Sequence, residues 1–292
     1  MAAGIVADQL VGEPPDAVHP VAAFGRVMQA VEARLYRDDR SAGLVHALAG
    51  AAGAAAAGAL VRSTAAATWS AVAGRALGQV ASEIGAALER GDLDAARALL
   101  PSLVGRDPSD LEEAEIARAV IESVAENTVD AVVAPALWAA VAGAPGVLAH
   151  RAVNTMDAMV GHRSARYERY GWASARLDDL AAWVPARVTV GLVAAVRPSA
   201  AATVLEVARR DAPAHPSPNS GWAEAAFAAA LGLRLGGVNR YGDRVEARPT
   251  LGDGRAPAGA DIAAAVRLSR DVALALAGGM AVAGLLRRRS AR

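Results

Sequence analysis

Glu122, Glu126 and Asp130 stand at i, i+4 and i+8 in the stretch Glu122–Arg166, ESVAENTVDAVVAPALWAAVAGAPGVLAHRAVNTMDAMVGHRSAR. On a helix that spacing aligns three carboxylates along one face. Like charges at this spacing repel, so a divalent cation, an arginine or solvent has to compensate them. An uncharged run from Ala131 to Ala149 follows, and then a second polar group: His150, Arg151, Asn154, Asp157, His162, Arg163 and Arg166. Asn154, Asp157 and Gly161 again share one helical face, and the arginine forks suit phosphate or carboxylate. A solvated acidic stripe and a basic loop beside a membrane are the plainer readings of the two groups. Their gathering at the ends of one apolar segment favours a site at a membrane face or in a deep apolar cleft.

A third group lies in Asp211-Ala-Pro-Ala-His215-Pro-Ser217-Pro-Asn219-Ser-Gly-Trp222-Ala-Glu224. Prolines stiffen a loop that offers Asp, His, Ser, Asn and Glu, as binding loops do. The same loop can also cap a helix, with Asn219 or Ser220 as N-cap. Gly236-Gly237-Val-Asn239-Arg-Tyr241-Gly242 can wrap an anion with backbone N–H groups. His19, flanked by prolines, reads as structural.

The elements that position these groups are helices. The chain has 292 residues, of which 54% are hydrophobic and only 4% aromatic, so its apolar mass is Ala, Val and Leu. Ala and Leu favour helix, whereas strands draw on β-branched and aromatic residues. The patterns predict an amphipathic helix over Ala22–Tyr36, helix over Ala42–Leu88 with a break near Arg62–Thr64, and a short helix capped by Asp92. A further helix runs from Glu112 to about Thr128, with Ser109 and Glu112 in capping-box spacing. Asp261–Leu286 is helical, and Leu235–Pro257 suits a loop or hairpin.

Ser41–Val61 is a run of 21 residues with no formal charge but a possible one on His46, and Ala131–Ala149 adds 19 more. Both match the roughly 20 residues of a bilayer span. Leu180–Val196, interrupted by Pro185 and Arg187, and Val272–Leu286, short for a span, are weaker candidates. Arginines at 26, 34, 37 and 40 and at the C-terminus put both of those ends on the cytoplasmic side. No signal peptide pattern is present. The expected fold is all-α: one polytopic membrane domain over residues 1–292, with bent or re-entrant segments and polar loops forming one site. If Ala131–Ala149 ran straight, its ends would lie about 30 Å apart and could not share that site. Pro135, Gly143, Pro145 and Gly146 offer a bend, which predicts that Glu126 and Asp157 line one cavity.

Several chemistries are excluded. All 30 basic residues are Arg, so there is neither a P-loop Lys nor a Schiff-base Lys, and there is no Cys for thioester or thiolate chemistry. Balanced charge, 30 against 30, gives no sign of a nucleic-acid partner.

Six stretches, in order along nearly the whole chain, carry a resemblance: Gly12–Gly25, Glu122–Trp138, Arg151–Tyr167, Gly171–Thr189, Asp211–Gly237 and Asn239–Asp243. In these the chain resembles the cobinamide-phosphate synthases of cobalamin biosynthesis, the CobD/CbiB family. His162 stands where a Tyr is common in that family. The resemblance implies a multi-pass enzyme of the cell membrane that joins adenosylcobyric acid to aminopropanol or its O-phosphate in an ATP-dependent amide synthesis. It implies ATP and Mg²⁺, a corrinoid substrate, the lipid bilayer and other late cobalamin-pathway membrane enzymes as partners. Making an amide from a carboxylate needs activation, which ATP can supply as an acyl phosphate. On that reading Glu122, Glu126, Asp130 and Asp157 include the Mg²⁺ ligands and catalytic acids. Arg151, Arg163 and Arg166 hold phosphate, Asp211 or His215 takes the amine proton, and Asn219 orients substrate. Asn127, Asn154, Ser217, Asn239 and Tyr241 complete the expected substrate contacts. The alternative is a non-catalytic membrane sensor or scaffold of the same superfamily, which could dispense with the acidic and HPSPN stretches. A transporter using Arg187 is a third reading, disfavoured by the lack of inverted repeats.

Overall fold

The computed structural model describes residues 1–14, 19–105, 107–162, 164–241 and 244–290. In chain order these form α1 (Ala2–Val11), α2 (Pro20–Leu35), α3 (Arg40–Leu60), α4 (Thr64–Trp69), α5 (Gly74–Glu89), α6 (Leu93–Leu99), α7 (Glu113–Thr128), α8 (Ala134–Met156), α9 (Trp172–Val196), α10 (Ala201–Asp211), α11 (Ser220–Leu231), β1 (Leu235–Tyr241), β2 (Arg244–Leu251) and α12 (Gly259–Ser290). Helix dominates, as the Ala/Leu composition requires. The described residues also hold a hairpin, β1–β2, antiparallel with an irregularity between Leu235 and Gly237.

Among the described residues, four helices are long and apolar enough to cross a membrane: Arg40–Leu60, Glu113–Gly161, Trp172–Val196 and Gly259–Arg287. The protein is therefore a polytopic helical membrane protein. Leu44, Val45 and Leu48 on α3 and Leu180, Trp183 and Val184 on α9 are exposed, the arrangement of helices whose outer face meets lipid. α12 is longer than the apolar segment Val272–Leu286 suggested, because Arg267, Arg270 and Asp271 interrupt hydropathy without interrupting helix. Pro185 likewise lies within a continuous α9.

The chain divides into two compact units. The first comprises Met1–Ala73, Asp130–Pro185 and Ala277–Arg292; the second comprises Gly74–Val129 and Ala186–Leu276.

In the first unit, α8 doubles back. Ala142 (φ −132°) and Gly143 (φ +63°, ψ −146°) are non-helical. A Cβ on Gly146 would collide with the Trp138 carbonyl oxygen. Eight residues of straight helix advance about 12 Å, so only a reversal brings 138 and 146 together. The left-handed φ at 143 favours glycine, and Pro145 starts the returning arm without needing an N–H partner. The expected bend of Ala131–Ala149 is therefore present. The returning arm packs on α3 where glycines let backbones approach: a side chain at Gly50 would strike Met156, and one at Gly58 would strike Ala144 and Pro145. His19 is the N-cap of α2, its Nδ1 accepting from the Val21 N–H at 3.3 Å, in line with a structural role.

In the second unit, Asp92 caps α6 through the Ala95 N–H at 3.0 Å, as expected. The capping box of α7 is formed by Glu112 and Glu115, three residues later than the Ser109/Glu112 pair suggested. Ser109 is instead drawn to Asp107, whose carboxylate accepts from its hydroxyl at 2.7 Å.

Candidate functional site

α7, α11 and β2 enclose a cavity of about 140 Å³ in the second unit, with Leu103, Val104, Gly105 and Ala119 as its apolar wall and Glu122, Ser123, Glu126, Asn127, Glu224 and Arg248 as its polar one. Glu122 and Glu126 reach it together because they are one turn apart on α7. Each acid is steadied by a donor of the chain. Glu122, buried, accepts the Gly236 N–H at 2.8 Å, with Arg118 Nη1 at 3.8 Å. Arg118 also donates to the Gly236 and Val238 carbonyls, which clips β1 onto α7. The anion held by the Gly236–Gly237 turn is thus this chain's own Glu122. Glu126, half-buried, accepts from the Ser220 hydroxyl at 2.7 Å. Asn127 donates to the Ser123 carbonyl at 2.9 Å.

The proline-rich loop wraps against this cavity. Asn219 is the N-cap residue of α11, as expected, but its side chain does not cap, because its Oδ1 accepts from Arg187 Nη1 at 3.0 Å; Ser217 Oγ instead accepts the Asn219 and Ser220 N–H groups, both at 3.2 Å. Arg187 also stacks on Trp222, 4.6 Å from the ring centroid. An arginine inside an apolar segment is therefore engaged in fixing the loop. His215 Nδ1 accepts the Ser217 N–H at 3.1 Å, and its Nε2 lies 3.7 Å from Glu224 Oε1. Burial first, and Arg248 second, push the His215 pKa down, so the ring is neutral at pH 7. Asp211 accepts two bonds from Arg210 (2.6 and 2.9 Å) and the Gly252 N–H at 2.8 Å. The Arg210 bond holds its carboxyl below the usual range, which suits a clamp between α10 and the end of β2 better than a base. Asn239 and Tyr241 belong to β1, their side chains lying outside the described parts of the chain.

The first unit holds the other predicted residues. Arg151 Nη1 donates to Asn154 Oδ1 at 3.2 Å, and Asn154 donates to Asp178 at 3.3 Å. Glu13, Asp130 and Asp178 all act electrostatically on Arg151. The reversal of α8 is what brings Asp130 and Arg151, from opposite ends of the apolar run, to one cluster. Arg151 also closes one end of an apolar cleft of about 140 Å³ that includes Ala54 and Ala57 of α3, so the cluster lies alongside that candidate span. The Asp157 carboxylate packs over Gly161, where no Cβ would fit. Arg166 donates to Glu32 at 3.0 Å and lies over the Tyr36 ring at 4.0 Å, while Tyr167 OH donates to the same carboxylate at 2.9 Å. That is a clasp between the 164–170 turn and α2. Arg163 lies outside the described residues. Glu122 and Glu126 thus belong to one unit, and Asp130 and Asp157 to the other. Among the described residues no three Asp, Glu or His side chains form a metal-binding group.

Sequence reasoning did not weigh Glu13, Asp178 or Arg248. Glu13 and Asp178 sit in stretches that carried the family resemblance, which was the available signal. Arg248 lies in a polar strand with no periodic cue.

The CobD/Cbib protein family model matches residues 1–269. The cobalamin biosynthesis protein CobD of Mycobacterium tuberculosis is 50% identical over 282 residues, covering 92% of this chain and 90% of that protein. That of Rhodobacter capsulatus is 47% identical over 219 residues, 75% of this chain and 68% of its own. That of Geobacter metallireducens is 42% identical over 268 residues, 85% and 84% respectively. No solved structure matches the chain. With a family model spanning nearly its whole length and relatives this similar over most of both chains, this chain belongs to the CobD/CbiB family.

Proposed function

We propose that the protein is an enzyme of cobalamin biosynthesis in the cell membrane, its C-terminus cytoplasmic, that forms the amide between adenosylcobyric acid and aminopropanol or its O-phosphate at the expense of ATP. Family membership supports the pathway, and the acid-lined cavity of the second unit supports the chemistry. A carboxylate oxygen of the corrinoid acid attacks the γ-phosphorus, and ADP leaves. The amine nitrogen then attacks the acyl carbon, a proton leaves the nitrogen, and orthophosphate departs.

The observation that carries this reading is the pairing of Glu122 and Glu126 on one cavity wall with Arg248 on another. Mg²⁺ is commonly held by one or two carboxylates with the remaining positions filled by water and phosphate oxygens. The hard oxygen donors of Glu122 and Glu126 fit that ion, which would neutralise phosphate charge when bound. Of the two, Glu126 is the more available, since Glu122 also anchors β1. Arg248 supplies a fork for phosphate. The Arg187–Asn219 bond and the Ser217 cap hold the loop in a single conformation, so substrate contacts made there cost little ordering. The test is purified, detergent-solubilised protein with adenosylcobyric acid, ATP, Mg²⁺ and each amine in turn. Amide product with one amine is expected. Absence of product with both, under conditions where a related CobD protein is active, overturns the reading.

A further inference from the structure

We infer that Ser220 and Arg187 are positioning residues for Glu126: together they set the orientation in which that carboxylate meets a divalent cation in the cavity. This rests on the cation role proposed above for Glu126 and assigns the residues that fix it.

Glu126 lines the cavity on a long, rotatable side chain. Left free, such a chain samples many orientations, and ordering it when a ligand arrives costs rotamer entropy. The Ser220 hydroxyl removes that freedom in advance. It donates to Glu126 Oε1 at 2.7 Å, from the first turn of α11 to α7. A carboxylate acceptor makes this one of the stronger classes of hydrogen bond. With one oxygen pinned, the carboxylate meets a ligand in one orientation.

Ser220 is itself fixed on both sides. Ser217 Oγ accepts its N–H at 3.2 Å and lies 3.2 Å from its hydroxyl. A Cβ on Gly221, the next residue, would collide with His215, so the proline-rich loop is folded tightly onto the start of α11. From α9, Arg187 Nη1 donates to Asn219 Oδ1 at 3.0 Å, and the guanidinium lies 4.6 Å from the Trp222 ring centroid. Arg187 thus grips the residue before Ser220 and the residue two after it. Donating and stacking with one planar group is a task for arginine; an ammonium does the first without the second. The route to the cavity runs from Arg187 to the first turn of α11, and from Ser220 to Glu126. Glu122 offers the contrast. Its anchor is the Gly236 backbone N–H, which no side-chain change removes. Glu126 is oriented by a side chain, so its orientation can be released by deleting one hydroxyl.

The experiment reads cation binding apart from turnover. Mn²⁺ is the probe, titrated into purified, detergent-solubilised protein without ATP or corrinoid, and free Mn²⁺ is followed by electron paramagnetic resonance. Ser220→Ala should raise the Mn²⁺ Kd by about tenfold, the worth of one hydrogen bond to a charged group, with metal-free thermal unfolding unchanged. Ser220→Thr restores the hydroxyl and should bind as wild type does. Arg187→Lys should weaken binding in the same sense, and combined with Ser220→Ala it should be less than additive, since both act through one hydrogen bond. An unchanged Kd for Ser220→Ala, or a threonine variant as weak as the alanine one, overturns the inference. Full additivity of the pair removes Arg187 from it. In amide synthesis, Ser220→Ala should raise the Mg²⁺ concentration for half-maximal rate more than it lowers the rate at saturating Mg²⁺; the reverse split also overturns the inference. Should Arg187→Lys not fold, Ser220→Ala against Ser220→Thr decides by itself. Wild-type protein that makes amide but binds no Mn²⁺ overturns the inference and leaves the amide synthesis standing. Wild-type protein that makes no amide, with these Kd changes present, overturns the proposed synthesis and leaves the positioning intact.

Discussion

In the second unit, Glu122, held by a backbone amide, and Glu126, held by a hydroxyl, line one cavity together with Glu224 and Arg248. In the first unit, Glu13, Asp130 and Asp178 converge on a single guanidinium, Arg151, beside a candidate membrane span. Both gather three carboxylates beside arginine, Arg118 and Arg248 in the second unit and Arg151 in the first, yet they are suited to different tasks. The first arrangement leaves acids facing a cavity that a cationic ligand can enter. The second surrounds the cation itself, so the charge is compensated inside the cluster, as charges beside apolar helices must be. Residue type alone does not separate a ligand site from an internal ion cluster. What separates them is whether the acids also line an open volume.

The largest effect that would sharpen this contrast is expected at Glu126. Glu126→Gln should cut ATP- and Mg²⁺-dependent amide formation by about 10²–10³-fold, the scale of losing one electrostatic contact to a transition state, with thermal unfolding unchanged. Near-normal turnover would take Glu126 out of the site. Arg151→Met should do the reverse. It removes the cation on which Glu13, Asp130 and Asp178 act and should cost about 3 kcal/mol of stability, read as a lowered melting temperature in detergent. Intact stability with collapsed turnover would make Arg151 a phosphate ligand, as its neighbourhood in sequence suggested, and erase the contrast. Gly143→Ala places a Cβ at φ +63° and should cost about 1–2 kcal/mol, measured the same way. If Asp130 and Arg151 are held together by this reversal, Gly143→Ala and Arg151→Met should be less than additive. The smallest effect concerns pH. Asp211 has a folded-state pKa below its unfolded one, so its contribution is present at neutral pH and lost as pH falls through the folded value. Asp211→Asn should therefore lower the neutral melting temperature by a few degrees and flatten its fall between pH 5 and about pH 3. Parallel curves for the two proteins would remove the clamp.

Much of this was legible in the sequence. The i, i+4 spacing of Glu122 and Glu126 fixes them on one face, and the HPSPN prolines fix a rigid loop, because both are local properties. The bend was readable from Gly143 and Pro145 for the same reason. The partners were not. That Asn219 answers to Arg187, Arg166 to Glu32 and Gly236 to Glu122 depends on which elements pack together, over separations that no spacing rule spans. Asp130 was grouped with Glu126 by helical period, although the chain passes from one unit to the other between them. The hairpin register was invisible for want of alternating apolar residues, since β1 (LGGVNRY) and β2 (RVEARPTL) carry few of them.

The reversal at Ala142–Gly143 also bears on how the protein is made. A helix such as α3 satisfies its own backbone hydrogen bonds and is at home in lipid as soon as it is threaded out. A non-helical tip is not, and it is tolerated at membrane depth only where protein covers it. Ala144 and Pro145, the first residues after the tip, seat on the Gly58 end of α3, synthesised some eighty residues earlier. The dependence runs one way: α3 can wait alone in the bilayer, whereas the hairpin cannot settle until it finds that notch. A bulky residue at Gly58 should therefore leave α3 inserted and strand the nascent hairpin, making the mutant a substrate for membrane quality control and not a misthreaded chain.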